Sequence, residues 1–234
     1  MKVLVIIPAY NEELSIQHVI HEIQSYMPEV DILVINDGST DHTAAVAKEA
    51  GAIVLSMPFN VGIGGGMQTG YMYARDHNYD VAVQMDADGQ HAAADLQSLL
   101  SEIQENDMVI GSRFLEKTSY RSSFMRKLGI RFFSMLVSLV TRQRFTDTTS
   151  GFRAAGRRVI ELYANYYPID YPEVESIVYL TRKKCRLVEV KAEMRQRETG
   201  KSSITPIKSA YYMVKVTLSV LISAVRFNEV KPTS

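Results

Sequence analysis

The first half of the chain alternates short continuous apolar runs with longer stretches in which apolar residues recur every three or four positions. "KVLVIIPAY" (residues 2–10) is a β-branched run interrupted by Pro8, and it predicts a strand buried on both faces. "NEELSIQHVIHEIQSYM" places Leu14, Val19, Ile20 and Ile23 at near-helical spacing. Further strands are predicted at "VDILVIND" (residues 30–37), "AIVLSM" (52–57), "YDVAVQMD" (79–86) and "DMVIGSRF" (107–114). Helices are predicted between them. One is "STDHTAAVAKEAG", with an Asp or Thr cap and Gly51 closing its end. Another is "GIGGGMQTGYMYARDH", helical after its glycines, and a third is "AADLQSLLSEIQEN".

Alternating strands and helices imply an α/β fold with a mainly parallel sheet and helices on both faces. Ligands of such sheets bind outside the carboxyl ends of the strands. Residues 8–12, 36–39, 86–90 and 111–113 therefore fall on one rim. The second half is richer in arginine and alternates less simply, although "CRLVEVKAEMRQR" supports one more strand around Leu187, Val188 and Val190. One domain (residues 1–205) followed by a C-terminal amphipathic helix and tail (206–234) is the predicted organisation.

Composition narrows the classes. The 234 residues are 46% hydrophobic, enough for a large core without cross-links. Cys185 is the single cysteine, so no internal disulfide forms, which fits a reducing compartment. The 26 basic and 26 acidic residues cancel, and nothing in the total charge suggests a nucleic-acid partner. The opening "MKVLVIIPAYNEE" does not read as a signal peptide. No stretch offers the roughly 18 uncharged apolar residues that a spanning helix needs.

The predicted strand at residues 79–86 ends in "MDADGQH". Asp86 and Asp88 there have two readings. One is a turn, since Asp and Gly often close strands. The other is a site for a hard divalent cation, Mg²⁺ or Mn²⁺, which takes carboxylate oxygens together with substrate phosphates. "NVGIGGGMQTG" (residues 60–70) looks like a phosphate loop but has no Walker lysine after its glycines. It reads either as a close-packing turn or as a support near a nucleotide, through Gly65.

In order, "PAYNEE", "VINDGSTDHT", "NVGIGGG", "MDADGQH", "GSRF" and "DTTSGFRA" resemble the family 2 glycosyltransferases of the GT-A fold. The nearest subgroup looks like the dolichyl-phosphate mannosyltransferase and polyprenyl-phosphate glycosyltransferase group, and the likeness covers about residues 2–205. The resemblance implies an inverting enzyme that moves a hexose from a nucleoside-diphosphate sugar, UDP favoured over GDP, to a polyprenyl or dolichyl phosphate. It implies that Pro8, Tyr10, Glu12 and Asp37 line the nucleotide pocket. Asp86, Asp88 and Gln90 would hold the metal. Arg113 and Arg126 would face phosphate groups, with Asp147, Ser150 and Gly151 on the acceptor side. "RETGKSS" matches an R-x-x-G-x-S loop whose Arg197 and Ser202 would close over the donor diphosphate. Asp88, Arg113, Asp147 and Arg197 are the implied catalytic set.

The chemistry agrees. Departure of a nucleoside diphosphate builds negative charge, which a cation and arginines stabilise where it develops. An alcohol acceptor would need a carboxylate base, with Asp147 as the candidate, whereas a lipid phosphate is already anionic. The chain has no tryptophan, so the Q-x-x-R-W motif of processive synthases is absent.

Two helices lean towards a membrane. Residues 123–144 carry Lys127, Arg131, Ser134, Ser138 and Arg142 on one stripe. Residues 208–227 carry Lys208, Lys215, Ser219 and Arg226 opposite Tyr211, Val214, Leu218, Leu221 and Val225. Such helices lie in a bilayer interface or cover a core. The expected location is thus the cytoplasmic face of the cell membrane, peripherally bound, with a small membrane protein or a second copy as further partners. The alternatives are transfer to a hydroxyl of a glycan or lipid-linked saccharide, and a nucleotide-sugar-binding subunit of a membrane complex. Glu173 and Glu175 are either catalytic or ordinary surface glutamates. His91 is expected beside the metal site rather than in it.

Overall fold

The computed structural model describes residues 1–115, 124–195, 213 and 215–222. Seven strands form one sheet in the order β3-β2-β1-β4-β6-β5-β7. They are β1 (Val3–Ala9), β2 (Asp31–Asn36), β3 (Ile53–Ser56), β4 (Val81–Gln84), β5 (Met108–Ser112), β6 (Arg153–Gly156) and β7 (Leu187–Lys191). All neighbours run parallel except β6, which is antiparallel to both β4 and β5. The helices are α1 (Ile16–Tyr26), α2 (Thr43–Glu49), α3 (Gly62–Asp76), α4 (Leu96–Glu102), α5 (Phe124–Thr141), α6 (Arg157–Asn165) and α7 (Pro172–Arg182). This is the expected mainly parallel α/β architecture.

The continuous apolar runs have a simple cause. Alternate side chains of a strand point to opposite faces, and both faces here are covered. Leu4, Ile6, Leu33 and Ile35 enter a core with Met67 and Tyr71 of α3, Tyr163 of α6 and Ile177 of α7. Val5, Ile7 and Val34 enter the other core with Ile16, Val19, Ile20 and Ile23 of α1 and Leu96 and Leu99 at the start of α4. Full burial of each such side chain is worth about 1.5–3 kcal/mol. Leu14, expected on the apolar face of α1, is 80% exposed because the helix starts two residues later at Ile16.

The strand β6 was not foreseen, and it places the site. Its register sets Arg153 opposite Gln84 of β4 and opposite Ile110 of β5. Because β6 runs backwards, the residues that precede it (147–152) arrive at the rim where β4 and β5 end. A parallel strand would have entered from the opposite edge.

The glycine-rich segment is also a correction. It is the first turns of α3, which starts at Gly62 itself. A Cβ at Gly64 would stand 2.5 Å from backbone atoms of Ile169, and one at Gly70 would stand 2.6 Å from the Ile6 side chain. Gly64 and Gly70 let the helix approach its neighbours, while Asn60, Gly62 and Ile63 at its start line the rim cavity, so the segment serves both packing and the cavity.

The two amphipathic helices face the core differently from the expectation. On α5, Ser134 is buried and donates to the Thr146 carbonyl (3.1 Å), while Ser138 accepts from the Phe145 N–H (2.9 Å). These serines therefore satisfy an inner loop and do not form a wet stripe. The exposed stripe of α5 carries Leu128, Arg131, Met135 and Leu139. In the helical segment 215–222, Val216 and Val220 are fully buried in the core shared with α3, α6 and α7, while Lys215, Leu218, Leu221 and Ile222 are exposed. Lys208, Tyr211, Val214, Val225 and Arg226, and the boundary expected at residue 205, lie outside the described residues. Among the described residues, no helix is long and apolar enough to cross a membrane.

Candidate active site

At the carboxyl ends of β1, β2 and β4 lies a cavity of about 360 Å³. Its walls are Pro8, Ala9, Tyr10 and Glu12 after β1, Asp37 after β2, Asn60, Gly62 and Ile63 at the start of α3, and Asp86, Ala87 and Asp88 after β4. The structure thus brings together Pro8, Tyr10, Glu12, Asp37, Asp86 and Asp88 of the expected set. Asn60, Gly62 and Ile63 were missed as wall residues. The glycine motif pointed at their segment but not at which residues face inward. Gly65 is not among the wall residues, and a Cβ there would stand 2.9 Å from Val61.

Each loop is pinned by its own polar residues. Glu12 receives the Ser15 hydroxyl (2.8 Å), and its N–H donates to the Thr43 hydroxyl (2.8 Å). Asp41 ties the same two loops. Burial pushes its carboxyl up, but donors from Thr43 and the Glu13 N–H outweigh this and hold it below the ordinary aspartate value. Asp37 receives the N–H groups of Val61 (2.7 Å) and Gly62 (2.9 Å), where α3 begins. A carboxylate there satisfies orphan donors and meets the positive helix end. Gly38, at φ +70°, is obligatory for this turn, because a Cβ would stand 2.7 Å from the Asn60 nitrogen.

Asp86 and Asp88 sit side by side on the cavity wall. Asp88 accepts the Gln90 N–H at 3.0 Å. Asp86 lies 3.0 Å from Nε2 of His91, whose buried ring stacks on Phe152 with centroids 5.0 Å apart. An ionised carboxylate has about four acceptor positions, so these bonds are compatible with metal coordination. Among the described residues no cluster of three or more His, Cys, Asp and Glu is assembled to hold a metal alone. A pair of carboxylate donors without thiolate is a partial set, and it fits Mg²⁺ or Mn²⁺ completed by water and substrate phosphate rather than a closed zinc site. Gln90, an expected third ligand, is not a wall residue. Its amide nitrogen donates to the Arg195 carbonyl at 3.3 Å.

The acceptor-side set is arranged differently from the expectation. Arg113 and Asp147 are both buried and grip each other, with Nε to Oδ2 at 2.5 Å and Nη2 to Oδ1 at 2.7 Å. Nη2 also donates to the Thr149 hydroxyl at 2.7 Å. The Asp147 N–H, with that of Thr146, is in turn received by Glu189 of β7. Burial raises Glu189 above the ordinary carboxyl value, and the donors of Asp147 and Thr146 pull it partly back. Arg113 and Asp147 therefore hold the loop before β6 in place, and neither lines the cavity. Ser150 is buried in a turn that receives the Phe152 N–H. Gly151 does reach the site, since a Cβ there would stand 3.1 Å from Oδ1 of Asp86. The side chain of Arg126, and Arg197 and Ser202, lie outside the described residues.

Two further groups stand behind the aspartates. Arg153 is fully buried and donates to the carbonyls of Ser150 (2.7 Å) and Thr148 (3.1 Å) and to the Ser176 hydroxyl (2.7 Å). Glu173, in the first turn of α7, is half-buried and feels Arg153, Asp86 and Arg113. Burial raises its carboxyl above the ordinary value; the arginines draw it down and Asp86 pushes it up.

A parallel nucleotide-binding half, an antiparallel strand that returns the chain to the rim, and paired aspartates at the end of β4 define the GT-A class of nucleotide-sugar transferases. Residues 4–163 match the model of glycosyl transferase family 2, and the chain belongs to that family. It is 32% identical over 216 residues to an undecaprenyl-phosphate mannosyltransferase of Micrococcus luteus, covering 88% of each chain. It is 31% identical to a polyprenol monophosphomannose synthase of Mycolicibacterium smegmatis, covering 92% of this chain and 85% of the other. Among solved structures, a glucosyl-3-phosphoglycerate synthase of Mycobacterium tuberculosis with Mn²⁺, UDP-glucose and phosphoglyceric acid superposes with a TM-score of 0.70. The identity there is 21%, with 96% of this chain and 80% of that one covered, so the likeness is one of fold.

Proposed function

We propose that this glycosyltransferase takes a hexose from a nucleoside-diphosphate sugar, with Mn²⁺ or Mg²⁺ held by Asp86 and Asp88. The observation that carries this reading is the cavity wall itself, where the two carboxylates meet a nucleotide-sized space bounded by Tyr10 and Asp37. The bound cation would neutralise charge on the departing diphosphate. Pro8 and Tyr10 offer an apolar surface for a base, and Asp37 and Glu12 offer acceptors for base or ribose donors. UDP is favoured over GDP by resemblance to the family.

Two acceptor classes follow from two observations. The named relatives act on polyprenyl phosphates, and a phosphate acceptor needs no base. The pairing of Asp147 with Arg113 suits this, because it takes the expected base out of play. The structural neighbour, alike in fold, is a glucosyl-3-phosphoglycerate synthase bound to phosphoglyceric acid, and it is the reason to carry a small hydroxyl-bearing acceptor as the second reading. In that reading Glu173, whose carboxyl burial raises, is the alternative to Asp147 as the base, and like Asp147 it stands off the cavity wall.

For the lipid reading, α5 (Leu128, Met135, Leu139, with Arg131) and segment 215–222 (Leu218, Leu221, Ile222, with Lys215) each offer exposed apolar residues beside a cation for a bilayer interface at the inner side of the cell membrane. The deciding experiment is a transfer screen with UDP- and GDP-sugars and Mn²⁺. It is run with undecaprenyl phosphate, with phosphoglycerate or an oligosaccharide, and with no acceptor. Label moving to the organic phase supports the lipid phosphate, and label in the water-soluble acceptor supports the hydroxyl. Nucleotide binding without turnover in any arm would leave only a binding subunit.

A further inference from the structure

Glu22 lies on α1, outside the cavity wall, yet it is the last link of a chain that ends at both aspartates. Its carboxylate receives the Arg195 guanidinium at two points, Nη2 to Oε1 at 2.8 Å and Nη1 to Oε2 at 2.9 Å. The same Oε1 accepts the Ala93 N–H at 3.3 Å. Arg195 in turn binds Gln90 reciprocally. Its N–H donates to the Gln90 carbonyl (2.8 Å), and its own carbonyl accepts the Gln90 amide (3.3 Å). Alongside, His91 and Met194 form an antiparallel bridge. Gln90 holds Asp88, and His91 holds Asp86.

The turn between the aspartates and Gln90 contains Gly89 at φ +72°, where a Cβ would meet no atom closer than 3.9 Å. Ala87, Asp88 and His91 around it are buried, whereas Gln90 is only half-buried and is braced by the Met194–Arg195 segment. The Glu22 side chain is only 9% exposed, and the fork geometry is that of the stronger, directional ion pairs. Arg195 itself is half exposed, so the pair contributes little to global stability. Its consequence is orientation.

We propose that Glu22 is a positioning residue for the metal-binding turn, acting through Arg195 and Gln90. The proposal rests on the reading of Asp86 and Asp88 as metal ligands. It predicts that Glu22→Gln, which keeps the shape but loses the charge, weakens Mn²⁺ binding about tenfold, the lower end for partners outside the ligand shell.

The test is a Mn²⁺ titration in the presence of UDP, followed by electron paramagnetic resonance. It uses the full chain as wild type, Glu22→Gln, Glu22→Arg, and the exchanged pair Glu22→Arg with Arg195→Glu. Support is weaker binding in both single variants, with unchanged melting temperature for Glu22→Gln, and recovery of at least half of the lost affinity (on a log scale) in the exchanged pair. Wild-type affinity in Glu22→Gln would overturn the proposal, as would a melting-temperature loss with unchanged Mn²⁺ binding. Wild-type protein that takes up no Mn²⁺ would instead overturn the metal reading, and the positioning role with it.

Discussion

The Arg113 guanidinium closes on Asp147 across 34 residues of sequence, with both side chains buried and the carboxylate fully so. Removing one partner of such a pair leaves an uncompensated buried charge, at a cost of about 3–5 kcal/mol. Asp147→Ala is therefore expected to lower the urea midpoint sharply. Arg113→Met combined with Asp147→Leu is expected to recover much of that loss. A base facing the acceptor would behave in the opposite way, with Asp147→Ala folded, stable and inactive.

Asp88→Asn should separate activity from fold. Asparagine keeps a carbonyl oxygen to accept the Gln90 N–H, so the turn survives. It loses the charge that a divalent cation needs. Transfer should fall by at least about a hundredfold, with melting within roughly 0.5 kcal/mol of wild type. A purified Asp88→Asn protein with full metal-stimulated turnover would remove the metal assignment.

Gly64→Ala tests the packing role of the glycine segment. Its new methyl would press on the backbone of Ile169, which cannot rotate away. Overpacking of this kind costs about 1–3 kcal/mol, to be read from chemical denaturation. Were the segment a loop that only touches nucleotide, stability would hold and donor affinity alone would fall.

Glu189 gives a pH signature. Its carboxyl is raised in the folded state by burial, so folding favours its protonated form. The contribution to stability is fully present below the unfolded value and is lost as pH rises through the folded one. Denaturation midpoints of the wild type should show this decline just above the ordinary glutamate range. Glu189→Gln should lack that component.

Replacing Leu218, Leu221 and Ile222 by serine should reduce pelleting with anionic liposomes while the fold persists, because all three are exposed. Deleting the whole segment is a poorer test, since it uncovers the core that Val216 and Val220 fill. Unchanged pelleting of the triple variant would exclude this face as the lipid contact.

The strands β1, β2, β4 and β5 were legible in sequence because burial on both sides leaves an unbroken apolar run, and β3 and β7 were legible from shorter versions of the same signal. The rim position of Asp37, Asp86 and Asp88 followed from the α/β alternation. The strand β6 was hidden by its sequence Arg-Ala-Ala-Gly, which has no β-branched or aromatic residue, and by Arg153, a charged residue that its hydrogen bonds allow to be fully buried. The helical state of the glycine segment was hidden by glycine's poor propensity, which close packing overrides. The Arg113–Asp147 and Glu22–Arg195 pairs have no local signal at all, being separated by 34 and 173 residues. The serines of α5 misled because a hydroxyl that caps an inner loop looks, in sequence, like one that faces water.

The position of β6 between β4 and β5 also orders the birth of the protein. On the ribosome, residues 3–84 can assemble the β3-β2-β1-β4 half before β6 has been made. Until residues 153–156 emerge, β4 presents an open edge along four buried residues, the kind of edge that recruits stray strands. The strand that carries residues 147–152 to the rim is thus also the one that covers the open edge of β4.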